Sequence, residues 1–324
     1  MRGGARRAAR EAYDYLSPRL GAPPLSSNGH ERAAEGANEA DGPLSAACGR
    51  AVYTRRVLTR PFGPTGVKVS VIGQGTWHMG EDRRLKKDEI AALRLGIELG
   101  QTHIDTAEMY ADGHAEEIVA EAVGGQRDRV FIATKVLPSN ASYKGTLAAC
   151  ERSLKRLRTD HIDLYLVHWW SGRHPIEETM RAMVELCASG KTRFAGVSNF
   201  DVEQMQAAQA TLGKVPLACN QVLYHLRDRD IEKDVVPYCK RERIAVVGYT
   251  PLARGGFMRG AVSDVAKRLG KTPRQVALNF LTRRPSLFAI PKATRPEHVR
   301  ENAGALDFTL SPRDLSAIDA EHRR

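Results

Sequence analysis

The chain has 324 residues, 42% of them hydrophobic and 27% charged, with a formal net charge of +11. That length allows one large domain or two ordinary ones, and the composition excludes collagen, coiled coil and wholesale disorder. No apolar run reaches the ~18 residues that a membrane span needs, and five scattered cysteines (Cys48, Cys150, Cys187, Cys219, Cys239) without a C-x-x-C pair argue for a reducing compartment and against a disulfide framework.

Residues 1–52 are rich in Ala, Gly, Arg, Ser and Asn and carry no sustained period, so they are expected to form a disordered extension. Arg2, Arg6, Arg7, Arg10 and Arg19 against Glu11 and Asp14 fit an organelle transit peptide; a start codon set too early is the alternative. From residue 53 the pattern changes. VYTRRVLTRPFGPTGVKVSVI alternates around turn formers and predicts a hairpin.

Short β-branched runs then alternate with amphipathic stretches. The strand candidates are VSVIGQG (69–75), HIDTA (103–107), VFIATKV (130–136), IDLYLVH (162–168), RFAGVSN (193–199), ACNQVLY (218–224), IAVVGYT (244–250) and LFAIPKA (287–293). Each is near-continuously apolar, as expected of a strand buried on both faces. In KKDEIAALRLGIELG, Ile90, Leu93, Ile97 and Leu99 fall on one stripe that ends at a C-cap glycine. Asp201 is an expected N-cap, with Gln204 at the capping-box position. The strand-to-strand step is mostly that of one βαβ unit, with a longer last step that leaves room for an extra element around 253–270. Eight such units predict an α/β (β/α)₈ TIM barrel over 53–324, with the hairpin capping its bottom. A doubly wound open sheet is the competitor, but Gly73-Gln-Gly75 stops at two glycines.

In such a barrel the reacting groups sit past the C-terminal ends of the strands. Those positions hold Thr76 and Trp77, then Asp105 and Tyr110, Lys135, His168 to Trp170, Ser198 and Asn199, Gln221, Tyr249 and Thr250, and Lys292. Singly, each has an ordinary structural explanation. Together, Asp105, Tyr110, Lys135 and His168 make a proton-donating set. A buried Asp keeps the Lys charged, and the ammonium is expected to lower the Tyr pKa from ~10. The Tyr can then give its proton to an oxygen gaining negative charge, while the His donates a second hydrogen bond. With no protein nucleophile in the set, the attacking species is expected to be a hydride from a cofactor.

Gly75-Thr76-Trp77, HIDTAEMY (103–110), ATKV (133–136), ERSLKRLRTDHIDLYLVHW (151–169), GVSNF (196–200), NQVLYH (220–225), GYTPLARGG (248–256) and IPKATRPEHVRENAGALDF (290–308) resemble the aldo-keto reductases, in order and at that family's spacing. The short motifs look most like bacterial members of the diketogulonate-reductase type. The resemblance implies an NADPH-dependent enzyme that reduces aldehydes or ketones, with Asp105, Tyr110, Lys135 and His168 as catalytic tetrad and Tyr110 as proton donor. It implies that Ser198, Asn199 and Gln221 hold the nicotinamide carboxamide and that Tyr249 stacks on its ring. Thr250, Pro251, Leu252 and Gly255 match the loop over the pyrophosphate, and Gly75, Thr76, Trp77 and Asp105 complete the cofactor's near end. Lys292, Ala293, Thr294, Arg295 and His298 match the segment at the adenosine 2′-phosphate, with Glu301 and Asn302 at the adenine end. Trp77, Tyr110, His168 and Trp169 are expected to face the substrate.

Between Val265 and Arg300, nine Lys and Arg residues face Glu297 alone, so this segment holds +8 of the +11. A cationic surface beside a phosphate pocket favours NADPH, with NADH as the alternative. Many relatives carry an Arg where this chain has His298, and Arg295 stands one turn away. The expected protein is a cytoplasmic monomer that takes a small-molecule carbonyl substrate and binds neither nucleic acid nor membrane; import through residues 1–50 is the alternative address. Ser-Gly-Lys-Thr (189–192) and Gly-Lys-Thr (270–272) lack the further glycine of a phosphate loop, and no H-x-H or H-E-x-x-H predicts a metal. The rivals are a non-catalytic dinucleotide sensor, a nucleic-acid binder and a Schiff-base aldolase using Lys135.

Overall fold

An antiparallel hairpin, β1 (Thr59–Pro61) with β2 (Lys68–Ser70), begins the part of the chain that the computed structural model describes, residues 57–255 and 259–321. The extension expected over residues 1–52, and the first few residues of the hairpin segment, lie outside the described residues. Phe62 sits in the hairpin turn, fully buried, with its ring 5.0 Å from Phe288, 5.2 Å from Phe131 and 5.8 Å from His103. Those three residues lie in the lower parts of barrel strands, so the hairpin plugs the bottom as expected.

Eight parallel strands follow: β3 (Gln74–Gly75), β4 (His103–Asp105), β5 (Phe131–Val136), β6 (Ile162–Val167), β7 (Thr192–Ser198), β8 (Leu217–Leu223), β9 (Ala245–Tyr249) and β10 (Leu287–Ala289). Each pairs with its sequence neighbours. A parallel bridge between Ile72 and Ala289, backed by Gly73 N donating to Ala289 O at 2.8 Å and Ala289 N donating to Val71 O at 3.0 Å, joins the two ends into a ring. The (β/α)₈ expectation therefore holds. One segment differs in detail. The run 69–75, expected as one strand, is shared between two: Val69 and Ser70 pair in the hairpin, and only Gln74 and Gly75 pair with β4. Gly73 lies between them, and a side chain there would strike the backbone and ring of His103.

The helices between strands are α1 (Lys86–Leu99), α2 (His114–Val123), α3 (Tyr143–Leu157), α4 (Ile176–Ala188), α5 (Val202–Leu212) and α6 (Val235–Arg241). Then come α7 (Ala261–Leu269), which fills the longer last step, α8 (Pro273–Leu281), α9 (Pro296–Ala303) and α10 (Pro312–Glu321). In α1, Leu93 and Ile97 are fully buried while Ile90 and Leu99 are partly so, and Gly100 closes the helix in the left-handed conformation (φ 96°). The Asp201–Gln204 capping box is formed, and Thr272 with Gln275 makes a second one on α8. Gly270, part of a rejected phosphate-loop fragment, is the left-handed C-cap of α7.

Strand residues alternate between two cores. Ile132, Tyr165, Val167 and Val197 pack outward under the helices, whereas Phe131, Ala133, Leu164, Leu166, Ala245 and Val247 fill the barrel. That alternation is what delivers the polar groups described next. Two residues on from Ala133 the inward position is Lys135, two on from Leu166 it is His168, and two on from His103 it is Asp105.

Candidate active site

The C-terminal ends of the strands surround a cleft of about 520 Å³. Asp105 and Lys135 form a buried ion pair at 2.8 Å, with Lys135 completely enclosed. Lys135 Nζ also donates to Thr106 O at 2.8 Å and lies 3.4 Å from the Tyr110 hydroxyl. The other Asp105 oxygen accepts from Gln221 Nε2 at 2.7 Å. Tyr110 and His168 face each other edge-on, ring centres 5.7 Å apart. The four residues singled out from strand ends 2, 3 and 4 thus converge on one mouth.

Their electrostatics differ from the expectation in one respect. Burial, and then the Asp105 carboxylate, pushes the Tyr110 phenol well above its ordinary value. Lys135 was expected to lower it. However, that ammonium is already shared between Asp105 and Thr106 O, and its contact with the phenol is long. The phenol therefore keeps its proton. Burial also lowers Lys135, against the opposing pull of Asp105. Burial, followed by Lys135, holds His168 well below the usual imidazole range, so its ring is neutral. His168 Nδ1 is sealed in without a hydrogen-bond partner.

Further round the rim, Asn199 adopts a left-handed backbone (φ 59°), which Asn tolerates better than most residues. Its Nδ2 donates to His168 O and to the Ser198 hydroxyl, both at 3.1 Å, and its Oδ1 accepts from the Tyr249 hydroxyl at 2.9 Å. Thr250 and Ala253 are also left-handed, at φ 52° and 42°. Such strain at a cleft edge is typical of loops held in place for binding. Gly75 is required by close approach: a Cβ there would lie 2.7 Å from Ile290 O.

Of the expected site residues, Gly75, Thr76, Trp77, Asp105, Tyr110, His168, Ser198, Asn199, Gln221, Tyr249, Thr250, Pro251, Leu252 and Lys292 line the cleft. Lys135 lies directly beneath it. Gly255, Ala293, Thr294, Arg295, His298, Glu301 and Asn302 do not line it; the last four lie on or just before α9, beyond Lys292. Trp169, expected to face the substrate, is not among the residues lining this cleft. Its ring packs edge-on against His168 at 5.0 Å and lines a separate small cavity with Pro138, Met180 and Phe200. His78, Ala253, Ile290 and Pro291 also line the cleft and were not singled out from sequence. His78 stacks on Trp77 with centroids 4.0 Å apart, a neighbour relation that adjacency to Trp77 could have suggested.

The basic segment is less exposed in its charge than its sequence implies. Arg268 pairs with Asp314, Arg274 with Glu301, and Arg283 and Arg284 with Glu232. Structural ion pairs thus absorb much of the +8. Lys292 remains at the cleft.

A model of the Aldo/keto reductase family matches residues 71–322. The methylglyoxal reductase YeaE of Escherichia coli (strain K12) is 47% identical over 259 residues, which cover 78% of this chain and 91% of that protein. The glyoxal reductase of Bacillus subtilis (strain 168) is 33% identical over 256 residues, 79% of this chain and 90% of its own. Among solved structures, an aldo-keto reductase from Klebsiella pneumoniae in complex with NADPH is similar at a TM-score of 0.79 and 45% identity, covering 82% of this chain and 95% of that one.

Proposed function

The chain belongs to the aldo/keto reductase family, and from that premise we propose that it uses NADPH to reduce the aldehyde or ketone group of a small molecule to an alcohol, with Tyr110 as proton donor. The observation that carries this reading is the buried Asp105–Lys135 pair, set 3.4 Å from the Tyr110 hydroxyl at the base of a cleft shared with His168.

The residues present suit a nicotinamide dinucleotide. A carboxamide needs a donor and an acceptor facing it. Asn199 has both its amide groups engaged, with His168 O, Ser198 and Tyr249, and Gln221 spends its Nε2 on Asp105, which leaves the Ser198 hydroxyl hydrogen and Gln221 Oε1 for that purpose. Tyr249 offers its ring beside them, tethered through its hydroxyl to Asn199. When bound, the dinucleotide supplies a hydride.

The protein's own part is acid catalysis and orientation. The substrate carbonyl oxygen sits between the Tyr110 hydroxyl and His168. Because Nδ1 of the neutral His168 ring is sealed in, Nε2 is the nitrogen left to donate to that oxygen. As the carbonyl carbon is attacked, the C=O pair moves onto oxygen, and the oxygen takes the Tyr110 proton. The phenolate left behind forms next to the Lys135 ammonium, which Asp105 holds in place. Solvent returns the proton. A phenol that is protonated at every physiological pH is loaded for each turnover, and it releases its proton only to a strongly basic oxygen. Trp77 and His78 form the aromatic side of the substrate space.

The relatives named for methylglyoxal and glyoxal make short dicarbonyls the first substrates to try. At the far end, Lys292 with Arg295 takes the place of the missing Arg at position 298 in favouring a 2′-phosphate. The reading places a monomer in the cytoplasm, in keeping with Cys150, Cys187, Cys219 and Cys239 all being unbridged thiols. A chain lacking residues 1–50 should keep its activity.

The test is NADPH oxidation with aldehydes, ketones and keto-sugars, for the native chain and for Tyr110→Phe. The variant should lose about 10²–10⁴-fold in turnover and bind NADPH as before, read by fluorescence titration. Near-native turnover in the variant would overturn the mechanism.

A further inference from the structure

Tyr110 sits in an awkward loop. The two residues after it, Ala111 and Asp112, both have left-handed backbones (φ 48° and 53°), and neither is glycine. Such a segment keeps its shape only when its surroundings over-determine it. Just before Tyr110 stands Glu108, whose carboxylate is more than nine-tenths buried. Glu108 Oε1 accepts from Leu137 N at 2.7 Å and from Asn140 Nδ2 at 3.0 Å. Its Oε2 pairs with Arg152 Nη2 at 3.2 Å, and its backbone N–H donates to Lys135 O at 3.3 Å. All four partners belong to the next barrel unit, β5 to α3, the unit that carries Lys135.

We propose that Glu108 is a positioning residue for the reaction: its buried carboxylate fastens the Tyr110 loop to the end of β5, and so sets the distance between the Tyr110 hydroxyl and Lys135. One buried side chain satisfies a backbone N–H and a side-chain amide and pairs with the half-exposed Arg152 guanidinium, and it spans the gap between the elements holding the acid and its ammonium neighbour. Glu108 does not line the cleft, so it acts through Tyr110 and not on substrate. Dinucleotide binding should be indifferent to it, because Ser198, Asn199, Gln221 and Lys292 come from other strands.

The inference rests on Tyr110 being the proton donor, and the test separates the two. The proteins are the native chain, Tyr110→Phe, Glu108→Ala, Glu108→Gln and Arg152→Ala. For each, kcat, NADPH affinity by fluorescence titration and the solvent deuterium isotope effect on kcat are measured. Glu108→Ala should lose about 10²-fold in kcat, the scale on which an ångström of misplacement acts, with NADPH affinity held within about twofold and a larger solvent isotope effect because proton donation has become limiting. Glu108→Gln keeps an acceptor for Leu137 N and should recover most of the loss. Arg152→Ala, which removes the ion pair alone, should resemble it at about three- to tenfold below native. A Glu108→Ala protein with native kcat, or one whose NADPH affinity falls in step with kcat, overturns the proposal. If Glu108→Ala does not fold, native kcat in both Glu108→Gln and Arg152→Ala overturns it. Full activity in Tyr110→Phe would instead overturn the reading of the reaction itself.

Discussion

Gln221 reaches across the barrel to Asp105: its Nε2 donates to Asp105 Oδ1 at 2.7 Å, although 116 residues separate them in the chain. With Lys135 on the other oxygen, both ends of the carboxylate are engaged, and the cofactor side of the mouth is tied to the proton-donating side. Replacing Gln221 with Leu leaves a buried carboxylate oxygen without its donor. The expected loss is about 1–3 kcal/mol of stability, measured by urea unfolding, together with weaker NADPH binding.

Lys135 and Asp105 should behave as one unit. Lys135→Met strands a buried carboxylate and is expected to destabilise the fold by about 3–5 kcal/mol and to abolish turnover. Adding Asp105→Asn should restore much of the stability and none of the turnover. Unfolding curves and assays on the single and double variants check both halves, and equal stability of the two would contradict the pairing.

His103 predicts how acid weakens the protein. It is fully buried at the base of the barrel, neither ring nitrogen has a partner, and burial pushes its pKa down from 6.5 to about 3. Between those values the unfolded chain binds a proton that the folded chain refuses. Stability is therefore complete above pH 6.5 and falls as the pH drops toward 3, by about 1.4 kcal/mol per unit for this group. His103→Leu should flatten the stability–pH curve over that window by one proton's worth, read by unfolding at stepped pH.

Lys292 should decide between the two dinucleotides. It is the cation of the basic segment that lines the cleft, while several of its neighbours are engaged with acids. Lys292→Ala should raise the NADPH KM about 10–100-fold and leave the NADH KM nearly unchanged. His298→Arg should move the preference the other way. Parallel changes for both dinucleotides would count against a 2′-phosphate contact.

Much of this was legible because a parallel barrel writes its period plainly. Strand runs such as VFIATKV and IDLYLVH are apolar on both faces, and the polar residues near their ends, Lys135 and His168, lie on the parity that points inward. What was not legible depends on burial depth and on loop geometry. The direction of the Tyr110 shift turned on how completely the ring is sealed and on Lys135 being committed to Asp105, which a residue pattern does not carry. Trp169 stands just past the end of β6, where strand alternation no longer says which way a side chain points, so its place beside His168 and Phe200 comes from the fold. Glu108 carries no signal in HIDTAEMY because no cation stands beside it in the sequence for it to pair with; its partners come from 29, 32 and 44 residues away.

The ring closes between its earliest and latest strands, and that seam runs through Gly75, Ile290, Pro291 and Lys292, where the cleft also opens. Asp105, Tyr110, Lys135 and His168 are all translated well before residues 287–292. A nascent or clipped chain can thus own every proton-handling group and still lack a chamber in which to use them.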